Sequence, residues 1–109
     1  MSTSIPKPEL IRALQTASRT GEVVYGSKEV LKLVLHGKAK LVVLAANAPP
    51  ELKRDIKYYS QLSKIPVVIF EGTNIELGNV IGRPHSVAAL AIVNPGQSKI
   101  LDLVQVSSE

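Results

Sequence analysis

The chain has 109 residues, enough for one domain with a core that needs no staples. Apolar residues make up 45% of it and cysteine is absent, which excludes a disordered chain, a disulfide framework, a thiolate metal site and a cysteine nucleophile. Thirteen Lys and Arg against nine Asp and Glu leave a net charge of +4, which favours an anionic partner such as nucleic acid.

The segment from Met1 to Lys7 lacks the basic stretch and apolar core of a secretory signal, and the apolar runs are strand-sized. The expectation is a soluble, intracellular protein with no membrane contact.

Pro8 suits the first position of a helix; Leu10, Ile11, Leu14 and Ala17 share one stripe, and Gly21 stops it. Val23 to Tyr25 reads as a short strand. Ser27 is the expected cap of a second helix, with Glu29 in its first turn. Val30, Leu31, Val34 and Leu35 are its expected buried stripe, and Gly37 ends it. Leu41–Ala46 is a continuous apolar run, the pattern of a strand buried on both faces.

Pro49 and Pro50 open a third helix. Leu52, Ile56, Tyr59 and Leu62 recur at helical spacing and are expected to face the core, with Lys53, Arg54 and Lys57 largely on the other side. Ile65–Phe70 is the next buried strand, with Pro66 near its first position. Thr73-Asn74-Ile75-Glu76 is a capping box that opens a short fourth helix ending near Gly82. Val87–Val93 is a further strand, and Asn94-Pro95-Gly96 is a turn. Ile100–Val104 adds an edge segment, and Val106 to Glu109 read as a frayed end. Helices alternate with strands, so the expected architecture is a single α/β domain over residues 1–109. It is a three-layer α/β/α sandwich with a mixed sheet of about four strands.

Enzyme signatures are missing from this pattern. The two histidines, His36 and His85, have no partner at metal-ligand spacing, and His36 suits a helix C-terminus as a cation. The glycines at 72, 78 and 82 lack the tight Gly-x-Gly pair of a dinucleotide site. Gly37-Lys38 is followed by Ala39, not by the Ser or Thr of a phosphate loop, and no Gly-x-Ser-x-Gly elbow occurs. No catalytic residue, metal or cofactor is therefore expected, although triads assemble in space and are not read from sequence.

What remains is a set of binding groups. Gly26-Ser27-Lys28 stands where a strand hands over to a helix. Glycine admits a close backbone approach, exposed helix-start amides attract phosphate oxygens, and Lys28 adds charge. The plain alternative is a capped helix with a solvated lysine. Asn47 follows a buried strand, where open α/β sheets present ligand groups; it is equally a common turn residue. Arg83-Pro84-His85-Ser86-Val87 supplies a cation, a ring for stacking on a base and an apolar contact, the parts that read unpaired RNA bases. Alone, such a loop is more often a connector.

Together these pieces resemble a known family. The residues that carry the likeness are Tyr25-Gly26-Ser27-Lys28, Gly37-Lys38-Ala39-Lys40-Leu41, Ala45-Ala46-Asn47-Ala48-Pro49, Tyr58-Tyr59 and Leu62-Ser63. They continue with Asn74-Ile75-Glu76-Leu77-Gly78 and Gly82-Arg83-Pro84-His85-Ser86-Val87. The chain resembles, over nearly its whole length, the L-thirty-e ribosomal proteins of the L-seven-Ae kink-turn-binding superfamily, in their archaeal form.

The resemblance implies a three-layer α/β/α fold, no enzymatic activity, and a grip on a kink-turn, an internal RNA loop bent between two stems. It implies contacts from Gly26, Ser27, Lys28 and Glu29, from Asn47 and Lys53, from Asn74, and from Arg83 to Val87. The implied partners are ribosomal RNA of the large subunit and neighbouring ribosomal proteins. The implied setting is a cytoplasmic ribosome, with a monomer off it. Two departures stand out. His85 occupies a place where some relatives carry a larger ring, and Lys28-Glu29 only partly matches the Asn-Glu-x-x-Lys signature of the L-seven-Ae branch. Two alternatives stay open: a kink-turn protein of another ribonucleoprotein particle, and a small α/β enzyme using His85 and Arg83 in a cleft.

Overall fold

The computed structural model describes residues 7–83 and 85–100. Eight elements follow in order: α1 (Lys7–Thr20), β1 (Glu22–Tyr25), α2 (Ser27–Leu35), β2 (Leu41–Ala45), α3 (Pro50–Leu62), β3 (Val67–Phe70), α4 (Asn74–Val80) and β4 (Ala89–Asn94). The strands form one sheet in the order β1-β4-β2-β3, with β4 antiparallel to β1 and β2, and β2 parallel to β3.

Strand β2 explains the layering. Side chains alternate across a strand, so its odd and even positions point to opposite faces. Leu41, Val43 and Ala45 join α1 and α4 through Leu10, Leu14, Ala17 and Leu77. Val42 and Leu44 join α2 and α3 through Val30, Val34 and Ile56. Every β2 residue is buried, which is why the run carries no polar alternation. The sheet is thus a central layer between two helix pairs, as expected.

Several local expectations need correction. Ser27 does not cap α2: Gly26 holds the cap position at φ 108°, Ser27 is the first helical residue, and no side chain satisfies the cap. Leu35 is 53% exposed and Leu62 65% exposed, so neither faces the core. The reason is helical geometry. Leu35 lies one residue, about 100°, past buried Val34, and Leu62 lies two residues, about 200°, past buried Ser60. Strand β2 stops at Ala45, β3 begins only after Pro66, and β4 begins at Ala89 instead of Val87. Lys53 does not stand apart on an outer face, because its side chain turns back onto the loop after β2. Ile100 is buried in the α1 cluster and outside the sheet, while residues 101–109, with the expected edge segment and frayed end, lie outside the described residues.

The end of α2 fits its expected stop. Gly37 takes φ 66°, and the N–H groups of Gly37 and Lys38 return to the carbonyls of Val34 and Leu33 at 3.1 and 2.9 Å. Thr73 caps α4 as expected, its Oγ1 accepting from the Glu76 N–H at 3.1 Å. The Glu76 carboxylate pairs with Lys7 of α1 at 2.9 Å.

Candidate functional site

Strand direction gathers the candidate residues at one end of the sheet. β1, β2 and β3 run the same way and β4 runs against them, so Tyr25, Ala45, Phe70 and Ala89 all lie at one edge. Helices α2, α3 and α4 each start there, after β1, β2 and β3 in turn. Helix starts carry partial positive charge, and no side chain caps the start of α2, whereas the first N–H groups of α4 are taken by Asn47, Asn74 and Thr73, so the anion-binding capacity of this end rests chiefly on α2.

Gly26, between β1 and α2, donates its N–H to the Ala89 carbonyl at 3.2 Å, which ties the start of α2 to β4. Its φ of 108° is unfavourable for a residue with a Cβ. Ser27, Lys28 and Glu29 are exposed on the first turn of α2. Glu29 lies 3.9 Å from Lys32, while Lys28 forms no ion pair among the described residues.

Asn47 and Asn74, 27 residues apart, meet directly. Asn47 Oδ1 accepts from the Asn74 backbone N–H at 2.8 Å, and Asn47 Nδ2 donates to Asn74 Oδ1 at 3.1 Å. Asn74 Oδ1 also accepts from the Ile75 N–H at 2.9 Å. The pair holds the loop after β2 against the start of α4. One Asn47 amide hydrogen is left to donate outward. Lys53 of α3 donates through Nζ to the Ala46 carbonyl, so it stiffens the same loop from the other side.

The loop before β4 is fastened to α4 at both ends. Arg83 N–H donates to the Gly78 carbonyl at 2.8 Å, and Val87 N–H to the Asn74 carbonyl at 2.9 Å. Between them the His85 carbonyl lies so close to Gly78 that a Cβ there would overlap its oxygen. Arg83 is exposed, with its guanidinium 4.9 Å from the Tyr25 ring centre. His85 and Ser86 are exposed. Pro84 lies outside the described residues. Val87 corrects an expectation: it is 1% exposed and packs in the α1 cluster, so its side chain offers no contact to a ligand.

The structure therefore brings together Gly26 to Glu29, Asn47, Lys53, Asn74, Arg83, His85 and Ser86 around one end of the sheet. Sequence reasoning missed two contributors. Tyr25 braces Arg83, which only the fold reveals. Gly78 admits the His85 loop, and a lone glycine inside a capped helix was its available signal. Two cavities, each of about 380 Å³, lie along α1, one lined by Glu9, Arg12 and Ser98 among others, the other by Ser18, Asn79 and Ile81.

Comparison with known proteins agrees with this architecture. Residues 9–102 match the ribosomal protein L7Ae/L30e/S12e/Gadd45 family. The chain is 53% identical over 97 residues to large ribosomal subunit protein eL30 of Pyrobaculum islandicum, covering 89% of this chain and 96% of the relative. It is 44% identical over 101 residues to the protein of the same name from Methanopyrus kandleri, covering 93% of each. With that of Methanothermobacter thermautotrophicus it shares 49% over 96 residues, covering 88% of this chain and 98% of the relative.

Proposed function

Because the chain belongs to the ribosomal protein L7Ae/L30e/S12e/Gadd45 family, we propose that it is a structural constituent of the large ribosomal subunit that grips a kink-turn in ribosomal RNA and catalyses no reaction. The names of its relatives support the subunit. The observation that carries the RNA reading is the convergence of three helix starts, the Asn47–Asn74 pair and the Arg83–His85 loop at one end of the sheet.

Each group has a task. The free N–H groups at the start of α2, together with Lys28, meet phosphate oxygens at the bend. Asn47 offers its remaining amide hydrogen to a base edge, and Asn74 holds it in place. Arg83 presents a guanidinium steadied by Tyr25, and the exposed His85 ring stacks on a splayed base. Lys53 keeps the Asn47 loop in shape. Since backbone hydrogen bonds hold most of these parts before RNA arrives, little ordering entropy is lost on binding. The partners are ribosomal RNA and neighbouring ribosomal proteins, the setting is the cytoplasmic ribosome, and the free protein is a monomer.

The test is a gel shift against an intact kink-turn RNA and a mutant lacking its sheared G·A pairs, repeated with Lys28→Ala over a salt series. The expected result is tight binding to the intact RNA only. Lys28→Ala should weaken it and reduce the salt slope by about 1, the loss of one phosphate contact. Equal, weak binding to both RNAs would sink the reading, leaving the basic charge a nonspecific handle.

A further inference from the structure

The last turn of α1 is tied to the end of α4 by Ser18 Oγ, which donates to the Ile81 carbonyl at 3.2 Å. Around that tie lies one of the two cavities of about 380 Å³. Its exposed lining residues are Gln15 and Arg19 of α1, Asn79 of α4 and Gly82, and no carboxylate lines it. The other cavity along α1, by contrast, includes Glu9 beside Arg12. Gln15 and Arg19 are i, i+4 neighbours, so they share one face of α1 and one cavity. Arg19 forms no ion pair among the described residues.

The backbone acceptors nearby are already engaged. The Ile81 carbonyl takes the Ser18 hydroxyl, the Asn79 carbonyl takes the Gly82 N–H at 3.1 Å, and the Gly78 carbonyl takes the Arg83 N–H at 2.8 Å. What α1 presents to a ligand is the Arg19 guanidinium, a donor only, and the Gln15 amide, which both donates and accepts. The cavity also adjoins the candidate RNA site. Gly82 lines it, and the next residue is Arg83, whose guanidinium lies 4.9 Å from the Tyr25 ring centre.

We propose that the groove between α1 and α4 holds the phosphate–ribose backbone of one of the two stems that flank the kink, with Arg19 on a phosphate and Gln15 on a neighbouring phosphate or 2′-hydroxyl oxygen. This rests on the kink-turn reading above and extends it beyond the bend. The chemistry selects the occupant. A nucleic-acid backbone is held by cations and hydrogen-bonding groups and needs no apolar anchor. A protein segment would find no exposed apolar residue to anchor on, since Ile81 is buried and Val80 half-buried. A free small anion would meet a single cation, whereas a stem tethered by the bound kink is held beside the groove at high effective concentration.

The experiment is a binding titration of the full chain over a salt series with three kink-turn RNAs: one with both stems trimmed close to the bend, and two with either stem extended in turn. Extension of one stem, and not the other, should raise affinity about ten-fold. Arg19→Ala, at an exposed position, should abolish that gain and reduce the salt slope on the extended RNA by about 1, while binding the trimmed RNA as the parent does. Gln15→Ala should lose part of the gain. Lys28→Ala should weaken all three complexes alike. No gain from either extension, a gain that survives Arg19→Ala, or an equal loss on the trimmed RNA would overturn the proposal. The trimmed RNA separates the two readings. Specific binding to it without a stem effect would sink this inference and leave the functional reading standing, whereas loss of preference for the kink itself would sink both.

Discussion

Replacing Gly78 by alanine sets two opposing effects against each other, and the structure decides which wins. Gly78 is inside α4, where alanine ordinarily gains about 1 kcal/mol from helix propensity. A Cβ at this position, however, would overlap the His85 carbonyl oxygen and lie 3.2 Å from its carbon and 3.5 Å from Val87 Cγ2. The carbonyl is backbone, so it cannot swing away as a side-chain tip could. It belongs to a segment held at both ends, by Arg83 N–H on the Gly78 carbonyl and Val87 N–H on the Asn74 carbonyl.

Relief requires the loop to back off α4. Overpacking of this kind costs about 1–3 kcal/mol, and a strained or lost backbone hydrogen bond adds about 1 kcal/mol. After the propensity gain, the expected net loss is about 2 kcal/mol. For a chain of this size that lowers the melting temperature by about 10 °C. Displaced with the loop, His85 and Arg83 should lose kink-turn affinity by about ten-fold. Urea unfolding and a binding titration measure both effects, with Asn79→Ala as the control, since its neighbouring side chain is exposed. A Gly78→Ala protein more stable than the parent, with RNA binding intact, would refute the close approach of the loop.

Asn47→Ala should remove the acceptor of the Asn74 N–H and loosen the loop after β2, at about 1 kcal/mol of stability by denaturant melts. Its effect on kink-turn affinity should exceed that of Ser86→Ala, a residue exposed in the neighbouring loop. Thr73→Ala removes the cap on the Glu76 N–H and should cost about 1 kcal/mol by thermal melts, with Thr73→Ser retaining most of it. Tyr25→Leu should weaken RNA binding by about 1 kcal/mol through loss of the Arg83 brace, whereas Tyr25→Phe keeps a ring and should keep the affinity. In an Arg83→Ala background the two Tyr25 variants should bind RNA alike, and a persistent gap in that double-mutant cycle would contradict the brace.

The element order was legible in the sequence because periodicity and end signals are local. The run at 41–46 suited a doubly covered strand, which the structure forms over Leu41–Ala45, and Thr73 with Glu76 marked a helix start that the structure reproduces with a 3.1 Å bond. That the proposed RNA-contact groups share one end of the sheet was legible too, since helix starts and strand ends follow from that order. Tertiary structure alone decided what depends on pairs distant in the chain. The order β1-β4-β2-β3 sends β4 into the middle of the sheet, between β1 and β2, and no local pattern carries that information. Asn47 reaches Asn74 across 27 residues, and Tyr25 lies beneath Arg83, only because strand direction brings their loops to one edge. Burial was equally out of reach at the margins. Val87 looked like a contact residue and is core, while Leu35 and Leu62 looked like core and are surface. Hydrophobicity says that a side chain gains from leaving water, but whether another surface waits within reach is settled by packing.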